Sequence, residues 1–402
     1  MHRNNFINLG RGSYNLSYTD EQICTHFFDT PEKHHGAVSP PIYQTSLFAF
    51  ETFEAFTKAQ SAERENYVYT RGVNPTTEIL ERKLAMLERG DRCKCFGSGM
   101  GAISSVFLSL LQKGDHVLFV NTIYGPTQEL VEHLNRFGIE HSFAGEEVEA
   151  DIQPNTKLIY VESPGTMTMK VVDLKSISTI AKQHGIITAI DNTWSTPIFQ
   201  KPLTLGFDLS IHSLTKYIGG HSDVVGGAVI GDEELIDQIS KYGFQLNGSV
   251  MSPHDASLIL RGLRTLPIRM KQHEYNTLQM INYLKTKEEI TSIHHPSLQT
   301  DNPIVKEQMA GFSGLLSFEL KEGAFEKVAL FINQMKVFKI GVSWGGYESL
   351  INAPIKRDNA SNLEAQGISP GLVRLSIGLE GPDLLIADLE KGFQAVQTIK
   401  SY

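Results

Sequence analysis

The chain reads as an α/β protein built on a mostly parallel sheet with a smaller α+β unit behind it, and three observations say so. Apolar runs at 116–120 (HVLFV), 157–161 (KLIYV) and 186–190 (IITAI) lack in–out alternation, as strands covered on both faces do. Between them lie helix-period segments stopped at Gly138 and Gly185, so strands and helices alternate as in βαβ units. After about Arg264 the texture changes to helix, irregular chain with Pro296 and Pro303, and separate strand candidates.

Residues 1–73 carry few regular signals, and they read as an extended arm lying on another surface, of its own subunit or a neighbour. Order begins at Asn74, which can cap a helix with Pro75 at its first position. Ile79, Leu80, Leu84 and Leu87 then recur at helical spacing up to Gly90. A short strand at 94–96 leads into the glycine turn 97–101, and this opens a helix carrying Ile103, Val106, Phe107, Leu110 and Leu111 to Gly114. A helix over 127–137 follows strand 116–120, and a helix over 174–184 follows strand 157–161. Strand 186–190 ends at Asp191, and strands near 208–212 and 226–230 close the run. Beyond it, strands are expected at 314–319, 337–343 and 372–377, with helices near 324–334 and 382–400. The expected division is an arm over 1–73, a large domain over 74–262 and a C-terminal domain over 263–402.

Composition excludes several functions. The 402 residues are 41% hydrophobic and 20% charged, enough for an ordinary core. A net charge of −9 offers no basic excess for nucleic acid or anionic membrane. No apolar run approaches the roughly 20 residues of a membrane span, and the first twenty residues lack the apolar core of a secretory signal. Cys24, Cys93 and Cys95 form no disulfide framework and fit buried thiols in a reducing, cytoplasmic setting. The pairs His34-His35 and His294-His295 are adjacent rather than convergent, so no metal site is expected.

The chemistry concentrates in residues 191–227. A carboxylate, Asp191, stands at a strand end, where ligands of parallel sheets bind. Downstream, Lys216 sits among Ser213, Thr215, Gly219 and Gly220. A lysine to bond an aldehyde, a carboxylate for a pyridinium nitrogen and hydroxyls for a phosphate are what pyridoxal 5'-phosphate requires. The turn 97–102 also fits G-x-G-x-x-A, so a dinucleotide-dependent oxidoreductase is a rival. However, the next strand ends in Asn121, where that fingerprint wants an acid. Ser213 to Lys216 fits S-x-x-K, yet no K-T-G partner occurs. Tyr124-Gly125 can place a ring over a flat cofactor, and Arg374, in an apolar strand, suits a substrate carboxylate unless it pairs with Glu348.

Over nearly its whole length the chain resembles the Cys/Met-metabolism enzymes of the aspartate-aminotransferase fold. The matching motifs are Y-T-R at 69–71, N-P-T at 74–76, S-G-M at 98–100, Y-G at 124–125, E-S-P at 162–164 and D-N-T at 191–193. S-L-T-K-Y-I-G-G-H-S-D at 213–223, S-W-G-G-Y-E-S at 343–349 and R-L-S-I-G-L-E at 374–380 complete the set. The resemblance implies the pyridoxal-phosphate-dependent transferase fold of type I, with a seven-stranded sheet. Stretches 164–169, 191–194 and 343–350 are most similar to the bacterial cystathionine β-lyase branch, whereas N-P-T after the arm arginine is commoner in the γ-type branches.

Carried over by motif, the resemblance implies Lys216 as the cofactor lysine and catalytic base, Asp191 as partner of the ring nitrogen, and Tyr124 stacked on the ring. Gly99, Met100, Ser213 and Thr215 would bind the phosphate, joined by Tyr69 and Arg71 from a neighbouring subunit. Arg374 and Ser343 would take the substrate carboxylate. Thr166, Trp344 and the Tyr69-bearing arm would shape substrate choice, with Thr166 where γ-type relatives carry asparagine. The implied activity is α,β-elimination of L-cystathionine to homocysteine, pyruvate and ammonia in methionine metabolism. A γ-lyase, synthase or sulfhydrylase is the alternative. The implied assembly is a homotetramer of two active dimers.

Overall fold

The computed structural model describes residues 18–299 and 301–398. Its larger sheet contains β1 (Arg92–Phe96), β2 (His116–Val120), β3 (Glu140–Phe143), β4 (Thr156–Glu162), β5 (Ile187–Asp191), β6 (Leu209–Ser213) and β7 (Gly227–Gly231). The order is β1-β7-β6-β5-β4-β2-β3. β2 to β6 run parallel, and β7 is antiparallel to both β6 and β1. β1 therefore points the same way as the parallel strands. The carboxyl ends of β1, β2, β4, β5 and β6 consequently lie along one edge of the sheet.

Period-2 alternation distributes the strand residues between two layers. Val117, Phe119, Leu158, Tyr160, Ala189, Leu209, Ile211 and Val229 pack with Ile103, Val106 and Phe107 of the helix Gly99–Leu110. Leu118, Val120, Ile159, Val161 and Ile190 pack with Leu174, Ile177 and Ala181 of the helix Leu174–His184. Cys93 and Cys95 share a face, as their spacing requires, and both are buried and free.

The second sheet contains β8 (Ile290–His294), β9 (Leu315–Leu320), β10 (Lys339–Ile340), β11 (Leu350–Asn352) and β12 (Leu372–Ser376), in the order β10-β11-β12-β9-β8. Its core joins Leu316, Phe318, Val373 and Leu375 to Phe331 and Phe393 of the helices Phe325–Asn333 and Pro382–Thr398.

Several sequence expectations shift. β3, β8 and β11 were not legible: β3 is a half-exposed edge strand, and β11 is only three residues long. The strand expected at 337–343 shrinks to Lys339–Ile340, and the chain after it brings Ser343 to Lys216. Helix Gly99–Leu110 stops at an extended Leu111 rather than at Gly114, which lies in the next turn with φ +94°.

Of the expected arm, residues 1–17 lie outside the described residues. Residues 20–29 are fixed to their own chain. Asp20 pairs with Arg89 and Lys201 at 2.9 Å each, and Asp29 pairs with buried Lys83 at 3.0 Å. Further on, Val38, Leu47, Phe53 and Tyr69 are exposed. Among the described residues no helix is long and apolar enough to cross a membrane.

Candidate active site

The shared edge of strand ends gathers the polar residues. β1 runs out at Phe96, and Ser98, in extended conformation, caps the helix Gly99–Leu110 by accepting the Gly101 amide at 2.9 Å. The Ser98 carbonyl takes the Ala102 amide. The amides of Gly99 and Met100 then remain at a helix N-terminus, where backbone donors and the helix dipole favour an anion. β6 ends at Ser213, which abuts Gly99: a Cβ on that glycine would lie 3.2 Å from the serine oxygen. β7 crosses beneath, and a Cβ on Gly227 would stand 2.2 Å from the Ser98 carbonyl. The cradle thus depends on a missing side chain. Gly227→Ala is expected to displace 98–99, to cost about 1–3 kcal/mol and to weaken cofactor binding. Melting temperature and a cofactor titration check this; a variant unchanged in both would disprove the close approach.

The cradle also revises the dinucleotide reading. In that fingerprint the glycine turn follows a central parallel strand. Here it follows β1, an edge strand antiparallel to its neighbour. The S-x-x-K rival fails likewise, because Ser213 ends a strand instead of starting a helix.

Asp191 is the last residue of β5 and accepts from the Thr193 amide at 3.0 Å and the Thr193 hydroxyl at 2.5 Å. The same Thr193 oxygen accepts the Ser213 amide at 2.8 Å, which ties β5's exit to β6's end. Burial pushes the Asp191 carboxyl up, opposed by Thr193, His212 and Lys216.

Lys216 lies in the turn after β6. Its Nζ donates to Ser343 Oγ at 2.7 Å and sits 5.5 Å from the centre of the Trp344 ring. Burial, then the charge of Arg374, brings its ammonium down to about 8, while Asp191 pulls the other way. Arg374, on β12, donates to the Val342 carbonyl at 3.4 Å and lies within electrostatic reach of the Tyr124 phenol. It forms no pair with Glu348, which accepts from Ser222 instead. The second sheet thereby delivers Ser343, Trp344 and Arg374 to the carboxyl edge of the first.

Tyr124 caps the helix Gly125–Leu134, and its ring is exposed. Its amide donates to Glu162 Oε2 at 2.6 Å. Thr166 gives its hydroxyl to the other oxygen of Glu162 at 2.8 Å, so it addresses that carboxylate. The Thr215 hydroxyl is engaged with the Gly226 backbone, accepting its amide at 3.1 Å. Tyr69 and Arg71 stand apart: Arg71 donates to the Gln245 carbonyl at 2.9 Å, and the two line a cleft with Glu63 and Gly72. No hydrogen bond among the described residues joins them to Lys216.

Sequence reasoning missed two supports. Buried Arg269 donates to the carbonyls of Tyr217 at 2.6 Å and Gly262 at 2.8 Å, clamping the turn just after Lys216. Gly262 lies in the last turn of the helix Pro253–Leu263, where the dipole favours a cation. Gly220, at φ +71°, leaves room for that guanidinium, since a Cβ there would meet it at 2.1 Å. Buried Glu88 is the second: His212 bonds it at 2.5 Å, and Asn192 and Ser210 donate to the same oxygen at 2.9 Å. Arg269 lies in a helical stretch and Glu88 at a helix end, and only the fold brings them here.

The chain matches the model of the Cys/Met metabolism PLP-dependent enzyme family over residues 22–394. It is 42% identical over 375 residues to an L-methionine γ-lyase of Fusobacterium nucleatum subsp. polymorphum, covering 90% of this chain and 95% of that protein. It is 37% identical over 387 residues to a cystathionine β-lyase of Coxiella burnetii, covering 93% and 97%. Among solved structures, a cystathionine γ-lyase from Lactobacillus plantarum complexed with L-serine superposes with a TM-score of 0.86 at 35% identity. That match covers 94% of this chain and 100% of the other.

Proposed function

Because the chain belongs to the Cys/Met-metabolism family of pyridoxal-phosphate-dependent enzymes, we propose that it cleaves the Cβ–S bond of L-cystathionine, releasing homocysteine, pyruvate and ammonia. That it is a pyridoxal-phosphate-dependent carbon–sulfur lyase of type I fold follows from the family itself. The wall around Lys216 carries the choice of the Cβ–S bond. Ser343 and Trp344, at 2.7 Å and 5.5 Å, come from the stretch 343–350 that resembles the β-lyase branch.

The residues present fit the cofactor. The glycine cradle at Ser98 and Gly227 leaves space and free amides for its phosphate, Asp191 stands ready for its ring nitrogen, and Lys216 for its aldehyde. Bound there, pyridoxal phosphate supplies an electron sink for the carbanion that forms at Cα. Arg374 and Ser343 hold the substrate carboxylate and so present the Cα–H bond. Lys216, as a neutral amine, removes that proton. Asp191 keeps a proton at the ring nitrogen. Lys216 or Tyr124 then returns a proton to the departing sulfur.

Lys216 must be neutral to attack an aldehyde. Its attachment rate is expected to rise with pH up to about 8 and then level off. Rapid mixing with cofactor followed by borohydride trapping measures this, and a break near the ordinary lysine value would contradict the depressed ammonium.

A γ-elimination reading is favoured by identity, which is higher to the methionine γ-lyase than to the β-lyase. The products decide. Pyruvate with homocysteine from L-cystathionine supports the β reading. Cysteine with 2-oxobutyrate, or methanethiol from methionine, transfers the protein to the γ-lyases. No turnover without an added thiol or homoserine ester indicates a synthase or sulfhydrylase.

We further place Tyr69 and Arg71 in the phosphate site of a neighbouring copy, within a cytoplasmic homotetramer. Support comes from the exposed apolar residues of the arm and from Arg71, which bonds the Gln245 carbonyl and, among the described residues, makes no hydrogen bond to its own chain's lysine.

A further inference from the structure

E-S-P at 162–164 stood out in the sequence without acquiring a role, and the structure supplies one. Glu162 ends β4 and is the register partner of Asp191 on β5. Two carboxylates therefore lie side by side at the strand ends. Among the described residues, both groups that donate to Glu162, the Tyr124 amide and the Thr166 hydroxyl, are neutral, and so are both donors to Asp191. Of the cations nearby, Lys216 spends its hydrogen bond on Ser343 and Arg374 donates to the Val342 carbonyl, so neither hydrogen-bonds the pair.

We propose that Glu162 is a positioning residue for Tyr124, and that the Glu162–Asp191 pair carries one shared proton in the cofactor-free chain and releases it to solvent when the protonated ring nitrogen docks against Asp191.

Like charges on adjacent buried carboxyls oppose double ionisation. Burial, then the charge of Asp191, raises the Glu162 carboxyl well above the usual carboxylate range. The other titratable groups facing the pair are the buried Tyr160 phenol on β4, His212 on β6 and Lys216 beyond it. Charge balance gives the direction. Before loading, one proton on two carboxyls leaves a net charge of −1. After loading, two carboxylates beside one pyridinium again make −1, so the shared proton leaves the pair. The freed carboxylate accepts the Tyr124 amide more strongly, as ionised acceptors do. It thus fixes the first turn of the helix that carries the stacking ring.

This inference rests on Asp191 facing the ring nitrogen. The test loads cofactor-free enzyme with pyridoxal 5'-phosphate in weakly buffered solution near neutral pH and counts protons per bound cofactor. Wild type is expected to release about one proton more than Glu162→Gln, whose amide cannot ionise. Equal counts overturn the proposal. The amide oxygen of Glu162→Gln can still accept from Tyr124. Cofactor affinity should therefore stay within about threefold of wild type there and fall roughly tenfold in Glu162→Ala, with an altered circular dichroism band of the bound cofactor. A merely structural role would move both variants alike.

If Glu162→Gln does not fold, difference infrared spectroscopy of the wild type decides. A carboxylic-acid C=O band must be lost on loading, and its persistence refutes the shared proton. Failure of borohydride to fix the cofactor on Lys216 would instead sink the reading of the site.

Discussion

Lys216→Ala is expected to lower turnover by at least about 10³-fold while leaving the chain folded. The loss is large because one amine serves two purposes, attachment of the cofactor and removal of the Cα proton. The fold survives because the only side-chain hydrogen bond of Lys216 in the described structure goes to Ser343, whereas the turn around it is held by Arg269 through the Tyr217 carbonyl. Circular dichroism and a melt should match wild type, and borohydride should no longer fix a phosphopyridoxyl group at this position. Residual activity within tenfold of wild type would refute the assignment. A small primary amine added to the variant should restore part of the turnover if the missing function is proton transfer.

The second large effect concerns Arg374. Replacing it by leucine is expected to cost about 3 kcal/mol of substrate binding, or roughly 100-fold in kcat/KM, mostly through KM. The figure follows from losing charge-assisted bonds to a carboxylate. Arg374→Lys should recover only part of it, because an ammonium lacks the planar fork. A separate readout comes from Lys216. Arg374 depresses its ammonium, so the pH break in cofactor attachment should move upward in Arg374→Leu. Unchanged KM together with an unmoved break would remove Arg374 from the site.

Much of the catalytic edge was legible because its parts are local in sequence. Asn74 before Pro75, the turn into the helix Gly99–Leu110 and the carboxyl end of β5 each announce themselves within a few residues, through capping and periodicity. Illegible elements were those whose stability comes from pairing. β3 is half-exposed and β11 only three residues long, and they exist because a neighbour offers them a ladder. Thr166 shows the same limit within the site. Its position implied a place near the substrate, and only the structure shows that its hydroxyl reaches Glu162.

By itself the sequence determined the cofactor chemistry and the α/β class. A lysine bracketed by hydroxyls and glycines, downstream of a strand-end aspartate, is a requirement written in residue types and short spacings. Tertiary structure alone decided what surrounds those groups. It set Glu162 beside Asp191 through strand register. It brought Ser343 and Arg374 to Lys216 from a second sheet more than a hundred residues away. It also buried Arg269 under the turn that holds the lysine. Proton affinities depend on burial and on through-space charge, and neither is set by neighbours along the chain.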